Sequence, residues 1–329
     1  MHGNSRPPGR TMSEASRAAV QLCRPATGGD DPVVLSSLHR SRPPGALVPA
    51  VTLITDNDTV GAGSSDEALI EALEELRTTV DVRPWNQVDA HLVDADLVVI
   101  RDLDLDPERR EGFLTWALAV QEQAVVCNPV DVLRWNSHRS YLLELEERGA
   151  PVVPTAWTAR GDNIDLAALM ADRGWERALI APAVLGATTV GVPVGEGGCQ
   201  LAAGQGALDR LLRLDDVTIQ ALPADGLAAA RLAAIAVDGR VSHVLRWDGS
   251  AQAQAEPVVD AEAAALAEWV VEATGVELAV ARVELQPDEL GTLQLVGLDA
   301  VTPDLGLHAV PEAAATIAAA LLRRLPDPP

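Results

Sequence analysis

Apolar positions fall into two regimes along the chain. Between residues 51 and 127, compact runs at 51–55, 80–83, 96–101 and 124–127 read as short strands. Amphipathic stretches separate them. Residues 66–77 carry Leu69, Leu73 and Leu76 at helical spacing, and residues 111–123 carry Phe113, Trp116, Leu118 and Val120. Strand–helix alternation predicts a parallel sheet covered by helices, a Rossmann-like unit of about 80 residues.

After Asn128 the texture changes. The pattern predicts a helix within 130–148, an extended segment bracketed by prolines over 149–155, and strands at 179–182, 217–222, 231–237, 241–247, 277–285 and 293–299. Helices are predicted at 261–273 and 313–324. Asp238 and Gly239, set between two strands, signal a tight hairpin. This half is expected to be mostly antiparallel sheet with flanking helices. Residues 1–46 keep no apolar period and hold six arginines against Glu14, Asp30 and Asp31. They read as a disordered leader or an initiator placed too far upstream, without the apolar centre of a secretory signal.

Composition narrows the chemistry. A chain of 329 residues can build two domains, or one large domain with a tail. Its net charge of −23 argues against nucleic acid as the main partner. No apolar run approaches the ~18 residues of a membrane span, so no membrane role is expected. Cys23, Cys127 and Cys199 lie far apart, which fits a reducing cytoplasm. All 25 basic residues are arginine. With no lysine, Schiff-base catalysis and a phosphate-loop lysine are excluded. Gly61 and Gly63 suggest a dinucleotide loop, but Asp66 stands where a third glycine is needed, and a plain strand-to-helix turn is the better reading.

An ordered set of residues carries a resemblance: Trp135, Asn136, Arg139, Tyr141 and Leu142; Gly149 to Thr155; Ile180 to Val184; Ile219 and Gln220; Val241 and His243; Arg282 and Glu284. Their order and spacing over residues 49–325 resemble ATP-grasp proteins, in particular the glutathione-synthetase-like group that includes cycloserine-synthetase-type ligases. The resemblance implies a Rossmann-like pre-domain followed by a two-lobed α+β clamp that holds ATP and Mg²⁺. It also implies activation of a carboxylate as an acyl phosphate for attack by an amine. The corresponding divisions are a leader at 1–48, a pre-domain at 49–130, a first lobe at 131–222 and a second lobe at 223–329.

The same resemblance assigns candidate residues. Arg139 stands where the family has a phosphate lysine, and Gly186 and Thr188 lie in the place of a phosphate-covering loop, with a turn between two strands as the equal alternative. Gln220 falls at the adenine-binding linker, with a solvent-facing strand residue as the alternative. Arg282 takes a catalytic position, and Glu284 and Asp299 take metal positions, with a pair of exposed strand acids as the equal alternative. Arg101, at the end of a pre-domain strand, is a candidate for a substrate carboxylate, with a salt-paired strand end as the equal alternative. Three departures stand out: Ala181 replaces a second lysine, Gly297 replaces a metal ligand, and the acid expected before Arg231 is absent. Phosphoryl transfer depends on positioned charge. The favoured reading is therefore a catalytically degenerate binding or scaffold protein with weak or lost ATP and Mg²⁺ binding. The alternative is an active ligase in which arginine replaces lysine. Partners would be a small carboxylate or amine, or a protein.

Overall fold

The computed structural model describes residues 48–56, 65–90, 93–103, 105, 107–184, 191–195, 198–247 and 255–326. The leader, the Gly61–Gly63 turn, and Gly186 and Thr188 lie outside the described residues.

Apolar runs without alternation are buried on both faces, and three strands of the first sheet are built from them, whereas the edge strand at 79–84 alternates exposed and half-buried residues. Strands β1 (Ala50–Thr55), β2 (Thr79–Pro84), β3 (Leu97–Asp102) and β4 (Val125–Cys127) pair in parallel in the order β2-β1-β3-β4. Helix α2 (Pro107–Gln121) lays Phe113, Leu114, Ala117 and Val120 against Ile54, Val98 and Ile100. Helix α1 (Ser65–Glu75) packs Leu69 and Leu73 on Val51, Leu53 and Val99, the opposite face. The last helix, α8 (Ala313–Leu322), completes that face with Ile317, Ala318 and Leu321. Its run of alanines lets it approach closely.

The single helix expected within 130–148 is two: α3 (Val130–Asn136) and α4 (Tyr141–Glu147). The break has a tertiary cause. The Arg139 N–H bonds the Ala183 carbonyl at 2.7 Å, and His138 bridges Val184, so the backbone leaves the helix to pair with another segment.

Two antiparallel sheets follow. The smaller one runs β5 (Thr155–Thr158), β8 (Val217–Ala221), β6 (Arg177–Pro182), β7 (Val192–Gly195) in spatial order. Helices α5 (Leu166–Arg173) and α6 (Gly198–Leu211) escaped the sequence reading. Asp165 caps α5 by accepting the Ala168 N–H, and Gly174 closes it in the left-handed region at φ 67°. Gly198, Gly204 and Gly206 weaken the helical pattern of α6. Gly204 is instead a contact point, since a Cβ there would lie 2.6 Å from Val194.

The larger sheet has the order β11 (Glu256–Val258), β10 (Arg240–Trp247), β9 (Arg231–Val237), β12 (Val280–Pro287), β13 (Leu293–Asp299). Asp238 and Gly239 both have positive φ, 49° and 78°, as a two-residue I′ turn requires. Alternation along β9 sends Leu232, Ala234 and Ala236 to helix α7 (Ala261–Ala273). Arg231 and Ala233 therefore lie on the other face, where the site is built.

Candidate functional site

Register decides which side chains share that face. Glu284 pairs with Ala233 on one side and Gly297 on the other, and Arg282 pairs with Asp299. Cross-strand partners project to the same side of a sheet. The even-numbered residues of β12 thus meet positions 297 and 299 opposite α7.

Buried side chains bring the α3–α4 turn onto this face. Asn136, fully buried, donates to the Leu298 carbonyl at 2.9 Å and accepts the Ala300 N–H at 2.7 Å. The Tyr141 hydroxyl accepts the Leu298 N–H at 2.9 Å, and burial pushes its pKa up to about 12. Asn136 and Tyr141 flank Arg139 and hold it over β13. A pocket of about 150 Å³ results, lined by Arg139, Tyr141, Glu284, Gly297, Asp299 and Thr302, with apolar walls from Leu103 and Leu105.

The charges are unequally engaged. Arg282 donates from Nε to Glu284 Oε1 at 3.1 Å, reaches Asp304 at 3.5 Å, and lies 5.0 Å over the Trp247 ring. Asp299 Oδ1 accepts the N–H groups of Val301 and Thr302, each at 2.9 Å. Burial nonetheless raises its pKa, with those two bonds opposing the shift. Arg139 Nε is buried and has no hydrogen-bond partner. A guanidinium left so has a donor directed at something other than the protein.

The remaining candidates separate. Arg101 is buried, donating to Asp66 Oδ1 at 2.6 Å and to the Pro303 carbonyl at 2.9 Å, so it ties β3 to α1 and to the segment after β13. This is the salt-paired strand end. Gln220 is buried rather than solvent-facing: β8 is an inner strand, and its amide reaches Thr155 Oγ1 and the Val296 carbonyl, each at 3.4 Å. Ala181 is buried on β6, facing away from the apolar cluster that takes Ala178 and Ile180. It supplies no charge. A Cβ at Gly297 would meet only the Tyr141 hydroxyl, at 3.5 Å. Asn128 escaped the sequence reading. Its side chain bonds the Val280 and Ala300 carbonyls and the Ala279 N–H, each at 2.8 Å, and fastens the first sheet to the large one. In sequence, Asn128-Pro129 carries only a turn signal.

Residues 51–128 match the family described as D-cycloserine synthetase DcsG, N-terminal domain. The crystal structure of D-cycloserine synthetase DcsG superposes with a TM-score of 0.73, covering 84% of this chain and 100% of that one at 22% identity. The chain has the ATP-grasp fold. The ATP-grasp ligase PsnB, in complex with a minimal precursor, Mg and ADP, superposes with a TM-score of 0.59 at 16% identity, over 84% of this chain and 97% of that one. In sequence, the cycloserine biosynthesis protein DcsG of Streptomyces lavendulae is 26% identical over 113 residues, 34% of this chain. That match spans 38% of the relative's length. On the ATP-grasp fold, the pocket at Arg139 opens between the pre-domain loop after β3 and the large sheet of the clamp. No helix among the described residues is long and apolar enough to cross a membrane.

A nucleotide and a metal fit this pocket unequally. The unpartnered Arg139 donor suits a phosphate oxygen. The carboxylates do not complete a metal set. Glu284 is paired to Arg282, one oxygen of Asp299 caps a turn, and Gly297 contributes nothing. Among the described residues no three metal-capable side chains gather.

Proposed function

We propose that the chain binds a nucleoside triphosphate in its clamp and has lost the carboxylate–amine ligase chemistry of its relatives. It then acts by binding, with a small carboxylate, amine or protein as its second ligand. The observation that carries this reading is the buried, unpartnered Nε of Arg139 facing a 150 Å³ pocket beside Glu284 and Asp299. Folding gains nothing from an unsatisfied guanidinium donor, whereas a phosphate satisfies it with a charge-assisted bond. Loss of turnover follows from two absences at positions to which the resemblance assigns phosphate and metal contacts: no cation at Ala181 and no ligand at Gly297. Each removes an electrostatic contribution of the size that separates working from silent phosphoryl-transfer sites.

A second reading, an active ligase with arginine for lysine, is favoured by Arg282, which remains fixed by Glu284, Asp304 and Trp247. One pair of measurements separates the two. Millimolar ATP should raise the melting temperature of the parent, because a ligand bound only to the folded state stabilises it. Arg139→Ala should abolish that rise. Hydroxylamine traps acyl phosphates, so hydroxamate formation from ATP and a carboxylate panel would establish the active ligase. No thermal shift with ATP would remove the nucleotide reading.

A further inference from the structure

One cation on the clamp face is used by neither the fold nor the pocket at Arg139. Arg231 opens β9 opposite Trp247, on the face of the large sheet turned away from α7. Its Nε is buried and makes no hydrogen bond, a property it shares only with Arg139 among the buried side-chain atoms of the described residues. Among the described residues no ion pair includes it; the nearby Glu284 is held by Arg282. Glu284 pairs with Ala233, two residues along β9 from Arg231. Strand rise and strand spacing put the two Cα atoms ~8 Å apart, within reach of one triphosphate.

We propose that Arg231 is a second phosphate-binding cation of the clamp, contributed by the large sheet in place of the charge missing at Ala181. This rests on the nucleotide reading above and extends it to a named contact. The reasoning is chemical. A guanidinium without an internal partner is costly to bury, and its forked donors match the oxygens of a polyphosphate. The lost charge belonged to β6 in the smaller sheet, and Arg231 would restore it from the opposing jaw. Arg139 stands on the α3–α4 turn, so the two arginines reach the chain of phosphates from different elements.

The test is calorimetric titration of the full chain with ATP, inorganic tripolyphosphate and adenosine, comparing the parent, Arg231→Gln and Arg231→Lys. Arg231→Gln should weaken ATP and tripolyphosphate at least tenfold and leave adenosine unchanged. Arg231→Lys should retain most of the affinity. The ligand-free melting temperature of Arg231→Gln should not fall, since the replaced cation holds nothing in the fold. If the parent and Arg231→Gln bind ATP and tripolyphosphate alike, the inference fails and the nucleotide reading stands. If the parent binds neither, both fail. A ligand-free Arg231→Gln that melts lower or does not fold marks the arginine as structural and overturns the assignment.

Discussion

One buried amide and one phenol place the pocket, although neither of them is charged. Asn136 and Tyr141 together make three hydrogen bonds to the backbone of residues 298 and 300. Truncating Asn136 to alanine leaves a buried carbonyl and a buried N–H unsatisfied. Each such group costs about 1–3 kcal/mol. Asn136→Ala should therefore lose about 2–4 kcal/mol in denaturant unfolding and, on the proposed nucleotide reading, weaken ATP binding as Arg139 drifts from β13. A loss below half a kilocalorie would mean that water replaces the amide. Arg139 itself was legible in the sequence through its place after Trp135 and Asn136. That its Nε would lack a partner was not, because burial and pairing are set by the tertiary packing around it. Arg101 shows the converse. The strand end was legible, but the buried Asp66 that takes its guanidinium comes from a helix 35 residues earlier.

At the level of elements, most expected strands lie within two residues of their observed bounds and 293–299 coincides with β13, whereas the strand expected at 277–285 begins three residues later, at Val280. The tight turn between β9 and β10 was legible because few residues tolerate two consecutive positive φ angles. Gly239, at φ 78°, should not accept a β-branched side chain. Gly239→Val is expected to cost about 1–2 kcal/mol from backbone strain, measured as a lower midpoint with an unchanged m-value. An unchanged midpoint would show that the turn re-forms in another type. Helices α5 and α6 were missed for opposite reasons. The capping signals of α5, Asp165 and Gly174, are local and readable. The glycines of α6 weaken its helical pattern, and the packing of Gly204 against Val194 explains one of them.

Across the whole molecule, the C-terminal segment closes over the first sheet and over β10. His243 on β10 meets the Leu305 carbonyl through Nε2 at 2.9 Å. Burial lowers its pKa, against the raising effects of that bond and of Glu312 and Asp304. The pKa of His138 is lowered by burial as well. A histidine with a lower pKa folded than unfolded takes its proton more readily when unfolded. Its stabilising effect is complete above the ordinary histidine range and declines as pH falls below about 6.5. Chemical denaturation at pH 7.5 and pH 5.5 should show a loss on acidification, and His243→Gln should reduce it. An equal loss in the variant would assign the effect elsewhere. The sequence by itself determined the class of each sheet: continuous apolar runs between helices demand a parallel, doubly covered sheet, and the later hairpin signal demands antiparallel pairing. It also determined which charges are missing, since Ala181 and Gly297 carry none in any fold. Only the tertiary structure decided which charges are engaged. Arg101, Arg139, Arg231 and Arg282 are one residue type, and nothing local distinguishes them. Burial and packing made Arg101 a strut between distant segments, fixed Arg282 to Glu284 on its own strand and left a donor on each of the other two without a partner.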